Sequence, residues 1–307
     1  MPELKKIGFI GTGIMGAAMA GHLMDAGYEL TVYNRTKAKA ESLIARGAHW
    51  AESADACAEG QDVVISIVGY PKDVEETYFG KEGAEPGSAG ADGVLAHAKK
   101  GAYLIDMTTS APSLAVRIYE AAKERGLHAM DAPVTGGDTG AKAGTLTILA
   151  GGDEADFQAL TPVFEAMGKT IVYEGKAGNG QHVKMCNQIA IAGALSGACE
   201  AIAYARAAGL DAEKMLATIA TGAAGSFQLS NVAKKGMEGN FAPGFMLKHF
   251  VKDMGLAYEA AEENGADLEI LCHVLKLCRA LEDAGLGDEG TQALLKHYEK
   301  NTGKGKN

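Results

Sequence analysis

The most reactive combination of side chains lies near the middle of the chain, where a lysine and two amides follow one another at helical spacing. Lys184, Asn187 and Gln188 stand at positions i, i+3 and i+4, so in an α-helix they share one face. A lysine ammonium can donate a proton to an oxygen, and burial lowers its pKa toward the range that suits acid–base catalysis. A neighbouring amide can donate an N–H to the same oxygen or to a carboxylate. The pattern predicts proton transfer to a small oxygen-bearing molecule.

A second segment offers groups that suit a small anion. Thr135, Gly136 and Gly137 follow one another and provide one hydroxyl and a run of backbone N–H groups without bulky side chains. Consecutive N–H groups of this kind form concave sites for anions such as a carboxylate. The sequence therefore predicts a carboxylate-binding turn in addition to the lysine-bearing helix.

A glycine-rich turn near the N-terminus has the spacing of a dinucleotide-binding site. It follows the apolar stretch Lys6–Ile10 directly and opens a helical pattern. In a GxGxxG turn the first glycine permits the tight turn, the second lets the backbone approach a pyrophosphate, and the third packs helix on strand. A strand–helix turn without a ligand has the same pattern and is the alternative. The predicted cofactor contacts here are Gly11, Thr12, Gly13, Ile14, Met15 and Gly16.

The residues after the second predicted strand indicate which dinucleotide binds. Sites for NAD usually place an acidic residue there to hold the ribose hydroxyls, whereas this chain has Asn34, Arg35 and Thr36. Arg35 can form a forked pair with a 2′-phosphate, and Thr36 can donate a hydrogen bond to it. These residues predict NADP(H) as the cofactor. NAD is the alternative cofactor, and an ordinary solvated helix start is the alternative role for Arg35.

Four motifs occur together in one order along the chain. They are the glycine turn with Met15 and Met19, Asp-Ala-Pro-Val-Thr-Gly-Gly at 131–137, Gly-Asn-Gly-Gln-His-Val-Lys-Met-Cys-Asn-Gln at 178–188, and Lys-Asp-Met-Gly-Leu-Ala at 252–257. In this combination the sequence resembles the β-hydroxyacid dehydrogenase family, which includes 3-hydroxyisobutyrate dehydrogenase. The resemblance spans nearly the whole chain, and its motifs come nearest to the glyoxylate/succinic semialdehyde reductase group.

The resemblance implies an activity and a set of site residues. The implied reaction transfers a hydride between NADP(H) and a small β-hydroxyacid or its semialdehyde, with Lys184 as general acid/base and Asn187 beside it as the second catalytic residue. Relatives commonly have a second Asn where this chain has Gln188, so the reach of that amide differs here. Phe245 has a core position at a helix start as its alternative role. Asp253 has the positioning of Lys252 as its alternative role. The implied substrate contacts are Thr135, Gly136, Gly137, Gln188, Phe245 and Asp253. The implied cofactor contacts beyond the glycine turn and residues 34–36 are Val68, Pro71, Thr109 and Lys252.

Two other functions remain open on the sequence. An imine reductase-like enzyme has the same fold, but relatives of that kind generally lack a lysine at the position of Lys184. A protein that binds NADP without catalysis is the second alternative, and loss of Lys184 would have been its sign.

The resemblance also implies a homodimer or homotetramer, because helical second domains of this kind bury large faces between subunits.

These groups need a scaffold that brings strand ends and helix starts together. Up to about residue 173, short apolar stretches alternate with helical segments, which is typical of a parallel sheet covered on both faces. After about residue 175 strand signals stop, and a long helical stretch at 183–208 begins a purely helical part. We predict an α/β Rossmann-type N-terminal domain with a parallel-rich sheet at residues 1–174. A long helix joins it to an all-α C-terminal domain at residues 175–307, which ends in a loose tail at 302–307.

Composition and charge narrow the partners. The chain has 307 residues, 29 basic and 39 acidic, for a formal net charge of −10. An acidic chain of this kind is not expected to bind nucleic acid or an anionic membrane. Five cysteines without CxxC or zinc spacing indicate reduced thiols and no metal site. The absence of a secretory pattern at the N-terminus predicts a cytoplasmic protein. The expected partner, from the resemblance above, is a small carboxylate or aldehyde substrate.

Overall fold

The computed structural model describes residues 4–84, 88 and 90–301. The nine strands in the described part form one sheet, in which β3-β2-β1-β4-β5-β6 are parallel neighbours and β8 pairs antiparallel with β6 and β7 and parallel with β9. In chain order β1 to β9 are Lys6–Ile10, Glu29–Tyr33, His49–Trp50, Val63–Ser66, Tyr103–Asp106, His128–Asp131, Val134–Thr135, Leu146–Gly151 and Gly168–Gly175.

The strand order places a ligand-binding edge next to β1. The chain runs outward from β1 through β2 to β3 and then returns to β4 on the other side of β1. In open α/β sheets, ligands bind beyond the carboxyl ends of the strands at such a reversal. The predicted Rossmann-type fold is confirmed, with the glycine turn at this switch point.

Alternate residues of the strands enter two separate cores. Phe9 and Ile65 pack in one core with α1, whereas Ile10, Val64 and Leu104 pack in the other. Since successive strand residues point to opposite faces, a strand that is apolar at every position must be covered on both sides. This accounts for the uninterrupted apolar stretches of the sequence.

Eight α-helices precede the long helix in the described part of the chain. Pro71 opens the fourth of them, where its missing N–H costs nothing, and the carboxylate of Asp73 accepts the backbone N–H of Tyr70 at 3.0 Å. In chain order α1 to α8 are Ile14–Asp25, Glu41–Ala45, Ala54–Ala58, Pro71–Phe79, Val94–His97, Pro112–Glu124, Gly137–Ala143 and Glu154–Glu165.

Between residues 176 and 301, the secondary structure that the described residues form is helical, apart from one β-bridge between Met246 and Gly290. The core of this part contains buried apolar residues such as Phe250, Met254 and Leu271. In chain order α9 to α14 are Asn179–Ala207, Ala212–Ile219, Lys234–Met237, Leu247–Glu263, Glu269–Leu281 and Leu294–Asn301. Two π-helical segments, Gln228–Ala233 and Glu282–Leu286, and a 3₁₀ turn, Thr291–Ala293, lie among them.

The structure differs from the predicted elements mainly at helix ends. The sequence pattern predicts one helix over residues 36–46, whereas the structure has a 3₁₀ turn, Lys37–Ala40, followed by α2, and Thr36 is extended. The long helix begins at Asn179, one turn before the apolar pattern of the sequence starts. The sequence pattern predicts a last helix over residues 288–300, whereas α14 begins at Leu294. The expected tail at 302–307 lies outside the described residues.

The chain divides into two compact units, Met1–Lys184 and Met185–Asn307. The sequence pattern predicts a boundary between residues 174 and 175. The first turns of α9 belong with the sheet because the N–H groups of Gly178 and Gln181 are bonded to Asp131, at the end of β6. Contacts of this kind join residues far apart in the chain and leave no local pattern.

Candidate active site

Two glycines of the turn between β1 and α1 are required by the packing of the protein itself. Gly11 has a φ of +98°, and a Cβ there would lie 2.1 Å from the carbonyl oxygen of Ile67. A Cβ on Gly16 would lie 1.9 Å from the carbonyl oxygen of Gly11. A side chain at Gly11 would push the turn away from the loop after β4, and one at Gly16 would push α1 away from the turn, so the two glycines permit the close packing at this point.

Gly13 has no such internal reason to be glycine. Its φ is −72°, and a Cβ there would meet nothing within 4 Å. It caps α1, which continues with the exposed Ile14 and the half-buried Met15 and has no acidic residue in its first turn. The neighbouring Thr12 is buried, and no partner from the described residues reaches its Oγ1. Open space at a helix N-terminus beside an unpartnered hydroxyl fits the pyrophosphate of a dinucleotide.

Asn34 ties the glycine turn to the end of β2. Its Oδ1 accepts the backbone N–H of Thr12 at 3.1 Å, and its Nδ2 donates to the carbonyl oxygen of Thr36 at 2.9 Å. Its amide therefore holds the turn and orients the segment that follows. The position at which NAD sites carry an acidic ribose contact is occupied here by a side chain with a positioning role.

Arg35 projects from the same strand end into solvent. Its side chain is 72% exposed, and its Nη1 lies 2.9 Å from Oδ1 of Asp73. The other oxygen of that carboxylate, Oδ2, accepts the N–H of Tyr70 at the start of α4. Arg35 is thus a cation at the predicted 2′-phosphate position, and Asp73 is an acidic neighbour that the sequence analysis did not identify. The two residues are 38 positions apart, so no sequence spacing indicates the pair.

The loops after β4 and β5 are joined by one hydrogen bond. Thr108 Oγ1 accepts the backbone N–H of Val68 at 2.9 Å. Pro71 begins α4 immediately after the first loop, and Thr109 follows Thr108 in the second. Val68, Pro71 and Thr109 therefore lie at the strand ends next to the glycine turn, as expected from the topology. Their cofactor contacts stay predictions.

A buried carboxylate anchors the helix that carries Lys184. Asp131, at the end of β6, accepts the N–H of Gly178 at 2.7 Å and that of Gln181 at 2.8 Å. Burial raises the pKa of this carboxyl to about 6, although the two N–H groups favour its ionised form. The side chain of Gln181 also donates to the carbonyl oxygen of Thr108 and accepts the N–H of Ser110. Two parts of the chain, the end of β6 and the loop after β5, are thereby hydrogen-bonded to the start of α9.

Lys184 follows Gln181 by one turn and is 7% exposed. Its Nζ donates to the carbonyl oxygen of Val134 at 2.9 Å. The half-buried Thr135 comes next in the chain, followed by Gly136 with a φ of +128° and Gly137 with a φ of +63°. The structure thus brings the predicted catalytic lysine together with the predicted carboxylate-binding turn, since both are held by the strand ends of the same sheet.

In the helical unit the predicted residues form a second group. Asn187 Nδ2 donates to Gln188 Oε1 at 2.8 Å, and Gln188 Nε2 donates to Asp253 Oδ2 at 2.7 Å. Lys252 Nζ lies 3.0 Å from the other carboxylate oxygen of Asp253. Gln188 and Asp253 are 1% and 2% exposed. Both are predicted substrate contacts, and the structure places their polar atoms in contact with other side chains.

Phe245 lies just before α12 and is partly exposed. Its ring centroid is 6.0 Å from that of Phe250, in an edge-to-face arrangement. The ring is therefore neither fully buried in the core nor isolated. Its substrate contact stays a prediction.

Two further features, a possible metal site and a possible membrane-spanning helix, can be checked among the described residues. Within residues 4–84, 88 and 90–301, no group of three or more His, Cys, Asp or Glu side chains is arranged to hold a metal ion. By length and composition alone, helix α9 is long and apolar enough to cross a membrane. Half of its most apolar part is buried within the structure, and the core helix of a soluble protein has the same character.

The fold and the glycine turn together define a dinucleotide-dependent oxidoreductase with a helical second unit. Family models match both parts of the chain. Residues 6–175 match the NAD binding domain of 6-phosphogluconate dehydrogenase, and residues 178–298 match the NAD-binding domain of NADP-dependent 3-hydroxyisobutyrate dehydrogenase.

The chain belongs to the β-hydroxyacid dehydrogenase family, and its similarity to known relatives extends over nearly its whole length. A probable mitochondrial 3-hydroxyisobutyrate dehydrogenase-like protein of Arabidopsis thaliana is 46% identical over 97% of this chain and 86% of its own. An NAD-dependent L-serine dehydrogenase of Pseudomonas aeruginosa is 37% identical over 98% of this chain and 100% of its own length. The structure of Mycobacterium tuberculosis 3-hydroxyisobutyrate dehydrogenase with L-serine is similar to this chain with a TM-score of 0.85 and 28% sequence identity. The comparison covers 96% of this chain and 99% of that one. The predicted family and fold are confirmed.

Proposed function

We propose that this enzyme interconverts a small β-hydroxyacid and its semialdehyde with NADP(H), and that Lys184 exchanges the proton. One observation carries the proposal. The Lys184 ammonium is almost fully buried and lies 2.9 Å from the carbonyl oxygen of Val134, directly before the turn of Thr135, Gly136 and Gly137. A proton donor and a carboxylate-binding turn held next to each other suit a substrate with an oxygen a few bonds from a carboxylate.

The residues of the chain divide the work of the reaction between them. In the direction of reduction, Lys184 Nζ donates a proton to the carbonyl oxygen, which becomes the hydroxyl of the product. In oxidation the same nitrogen accepts the hydroxyl proton. The N–H groups of Gly136 and Gly137 and the hydroxyl of Thr135 hold the carboxylate, and Asn187 donates an N–H to a substrate oxygen. When bound, the cofactor supplies the hydride in reduction and accepts it in oxidation.

The preference for NADP(H) is supported by the end of β2. Arg35 is an exposed cation there, and Asn34 stands where NAD sites have an acidic residue. Arg35 would fork onto a 2′-phosphate, and the N–H groups at the start of α1 would hold the pyrophosphate. The NAD-dependent relative from Pseudomonas aeruginosa shows that the family includes both cofactor types, so the comparison of cofactors belongs to the test.

The substrate class is proposed from the small size of the turn and from two relatives. L-serine, named for the Pseudomonas and Mycobacterium proteins, is itself a 3-hydroxyacid, as is 3-hydroxyisobutyrate. We expect substrates with three or four backbone carbons, one carboxylate, and a hydroxyl or aldehyde at the third carbon. The imine reductase-like alternative is less well supported, because the relatives described above are dehydrogenases and Lys184 is in place.

An initial-rate panel tests this proposal. The hydroxyacids are 3-hydroxyisobutyrate, L-serine and 3-hydroxypropionate, and the aldehydes are methylmalonate semialdehyde, tartronate semialdehyde, succinic semialdehyde and glyoxylate. Each is assayed with the NADP and the NAD form of the cofactor. 1-Propanol is the matched control, because it replaces the carboxylate of 3-hydroxypropionate with a methyl group. Turnover of at least one acid, with 1-propanol inactive and NADP(H) preferred, supports the proposal. No turnover of the three hydroxyacids or of methylmalonate and tartronate semialdehydes contradicts the substrate class, even if glyoxylate or succinic semialdehyde, whose aldehydes lie at the second and the fourth carbon, is turned over. Equal kcat/KM with both cofactors contradicts the preference.

A further inference from the structure

Three polar side chains in the helical unit form a continuous chain of hydrogen bonds. Asn187 donates to Gln188 at 2.8 Å, and Gln188 donates to Asp253 at 2.7 Å. The ammonium of Lys252 lies 3.0 Å from the second oxygen of the same carboxylate. Gln188 and Asp253 are buried, whereas Asn187 is half-buried. The three groups extend from a buried carboxylate outward to an amide that remains accessible.

The carboxylate of Asp253 determines the direction of both hydrogen bonds among these three side chains. An ionised carboxylate has no hydrogen to donate, so Asp253 can only accept. Gln188 must therefore turn its NH₂ group toward Asp253, which leaves its carbonyl oxygen facing Asn187. That oxygen also only accepts, so Asn187 must turn its own NH₂ group toward Gln188. An asparagine amide has two orientations of similar shape, and Asp253 selects one of them through Gln188.

We infer that Gln188 and Asp253 are positioning residues, which hold the Asn187 amide in the single orientation that meets the substrate. One N–H of Asn187 is donated to Gln188, so its second N–H can be donated to a substrate oxygen, and its Oδ1 can accept from a substrate hydroxyl. Gln188 uses both ends of its amide within the protein and needs no substrate contact. The inference rests on the proposed function, since it gives Asn187 a substrate to meet. It also explains why the longer Gln is suitable here, since its extra carbon lets it reach both neighbours.

The substitution Gln188→Glu tests the direction of the bonds through pH. A deprotonated carboxyl at 188 cannot donate to Asp253, and the two carboxylates repel each other. A protonated carboxyl restores the original pattern, since its O–H donates to Asp253 and its carbonyl oxygen accepts from Asn187. Burial and the Asp253 charge both raise the pKa of the introduced carboxyl, which brings this recovery into an accessible pH range. We expect kcat/KM to fall about 10- to 100-fold at pH 8 and to recover to within about threefold of wild type at pH 5.5.

Other charged groups lie near these three side chains, so every value is divided by that of the wild type at the same pH. They are Lys252 and His249 on α12, the Asp288 and Lys248 charges that act on His249, and Lys184 on the preceding turn of α9. Burial and Lys252 lower the pKa of His249, which is common to all the variants. The quotient therefore reports on position 188 alone.

Two further variants keep the result interpretable. Gln188→Met has a similar volume and cannot ionise, so its kcat/KM should be reduced by the same factor at pH 8 and at pH 5.5. Gln292→Glu changes another buried glutamine of the same unit, which bonds to the carbonyl oxygens of Asn240 and Ala242 and to no carboxylate. Its kcat/KM per folded molecule, with the folded fraction measured by circular dichroism, should stay at the wild-type value at both pH values.

The outcomes separate this inference from the proposed function. A wild type that turns over none of the panel substrates overturns the proposed function and the inference with it. With an active wild type, a folded Gln188→Glu whose quotient is the same at pH 8 and pH 5.5 overturns the inference alone. If Gln188→Glu does not fold, Gln188→Met decides, since wild-type kcat/KM in that folded variant overturns the inference and a reduction by tenfold or more supports it.

Discussion

The carboxylate of Asp131 accepts the backbone N–H of Gln181 at 2.8 Å, and it thereby joins the end of a sheet strand to the start of the helix that carries Lys184. Its second oxygen accepts the N–H of Gly178 at 2.7 Å. The first N–H groups of a helix have no partner within the helix, and a negative charge there is favourable. One buried acid therefore satisfies the helix end and sets the distance between Lys184, one turn later, and the segment that follows Asp131.

The pH dependence of stability should reveal this buried acid. Its pKa is raised from 3.8 to about 6 in the folded protein, chiefly by burial. The folded state thus takes up the proton before the unfolded chain does, so the contribution is complete below pH 3.8 and is lost as the pH rises through 6. Between pH 7.5 and pH 5.0 the free energy of unfolding of the wild type should gain about 1 kcal/mol relative to Asp131→Asn. Urea unfolding at the two pH values measures it.

An exposed carboxylate is the control for that measurement. Glu52 is exposed, and Glu52→Gln should follow the wild type between the two pH values within about 0.5 kcal/mol. A gain of the opposite sign in the Asp131 comparison would show that the two N–H groups outweigh burial, and that the carboxyl is held ionised.

Replacement of Lys184 should remove catalysis and leave cofactor binding intact. In Lys184→Ala the proton donor is lost, so kcat should fall by at least the ~10²–10⁴-fold that general acid–base catalysis contributes. Cofactor fluorescence titration should give a Kd within about twofold of wild type, because the glycine turn is formed by other residues. Lys176→Ala removes an exposed lysine just before the same helix and should retain wild-type kcat. Near-wild-type kcat in Lys184→Ala would exclude this lysine from the mechanism.

Replacement of Arg35 should affect one cofactor and not the other. Arg35→Ala removes the cation that we propose binds the 2′-phosphate, so the Kd for NADPH should rise about tenfold, while that for NADH changes by less than about twofold. Binding is measured by fluorescence titration without substrate. Equal rises for both cofactors would place Arg35 elsewhere than at the 2′ position.

Replacement of Asp73 should have the opposite effect. This carboxylate pairs with Arg35 at 2.9 Å, so an incoming 2′-phosphate has to compete with it. In Asp73→Asn the amide oxygen can keep the bond to the N–H of Tyr70, and the NADPH Kd should fall about threefold, the scale of an exposed ion pair. Glu76→Gln makes the same charge change on the same helix away from Arg35, and should leave that Kd unaltered. A weaker NADPH affinity in Asp73→Asn would show that Asp73 presents Arg35 to the phosphate.

Two glycines of the same turn should respond differently to alanine. In Gly16→Ala the new Cβ would lie 1.9 Å from the carbonyl oxygen of Gly11, so we expect a loss of about 1–3 kcal/mol in unfolding free energy. In Gly13→Ala the Cβ meets no protein atom within 4 Å, so stability should change by less than about 0.5 kcal/mol. The Kd for both dinucleotides should nevertheless rise tenfold or more in Gly13→Ala, because the Cβ occupies the place of the pyrophosphate. Unchanged affinity would contradict that role of Gly13.

Much of this protein could be predicted from local patterns. Uninterrupted apolar strands such as Val63–Ser66 are typical of a sheet covered on both faces, and the spacing of Gly11, Gly13 and Gly16 specifies a strand, a turn and a helix. These features depend on neighbours within a few residues. The start of α9 at Asn179 and the ion pair between Arg35 and Asp73 depend on partners 38 or more positions away in the sequence. Periodicity along the sequence carries no information about such distant partners.

By itself, then, the sequence determined the parallel-rich sheet, the helical second part, the dinucleotide turn and the helix that carries Lys184. Only the tertiary structure decided what Asp131, Gln181 and Asp73 do, and what holds Gln188. The physical reason is that a buried or paired polar group takes its role from the hydrogen-bond partners that folding brings to it. Asp131 finds Gly178 and Gln181 about 50 residues along the chain, and Gln188 finds Asp253 at a separation of 65.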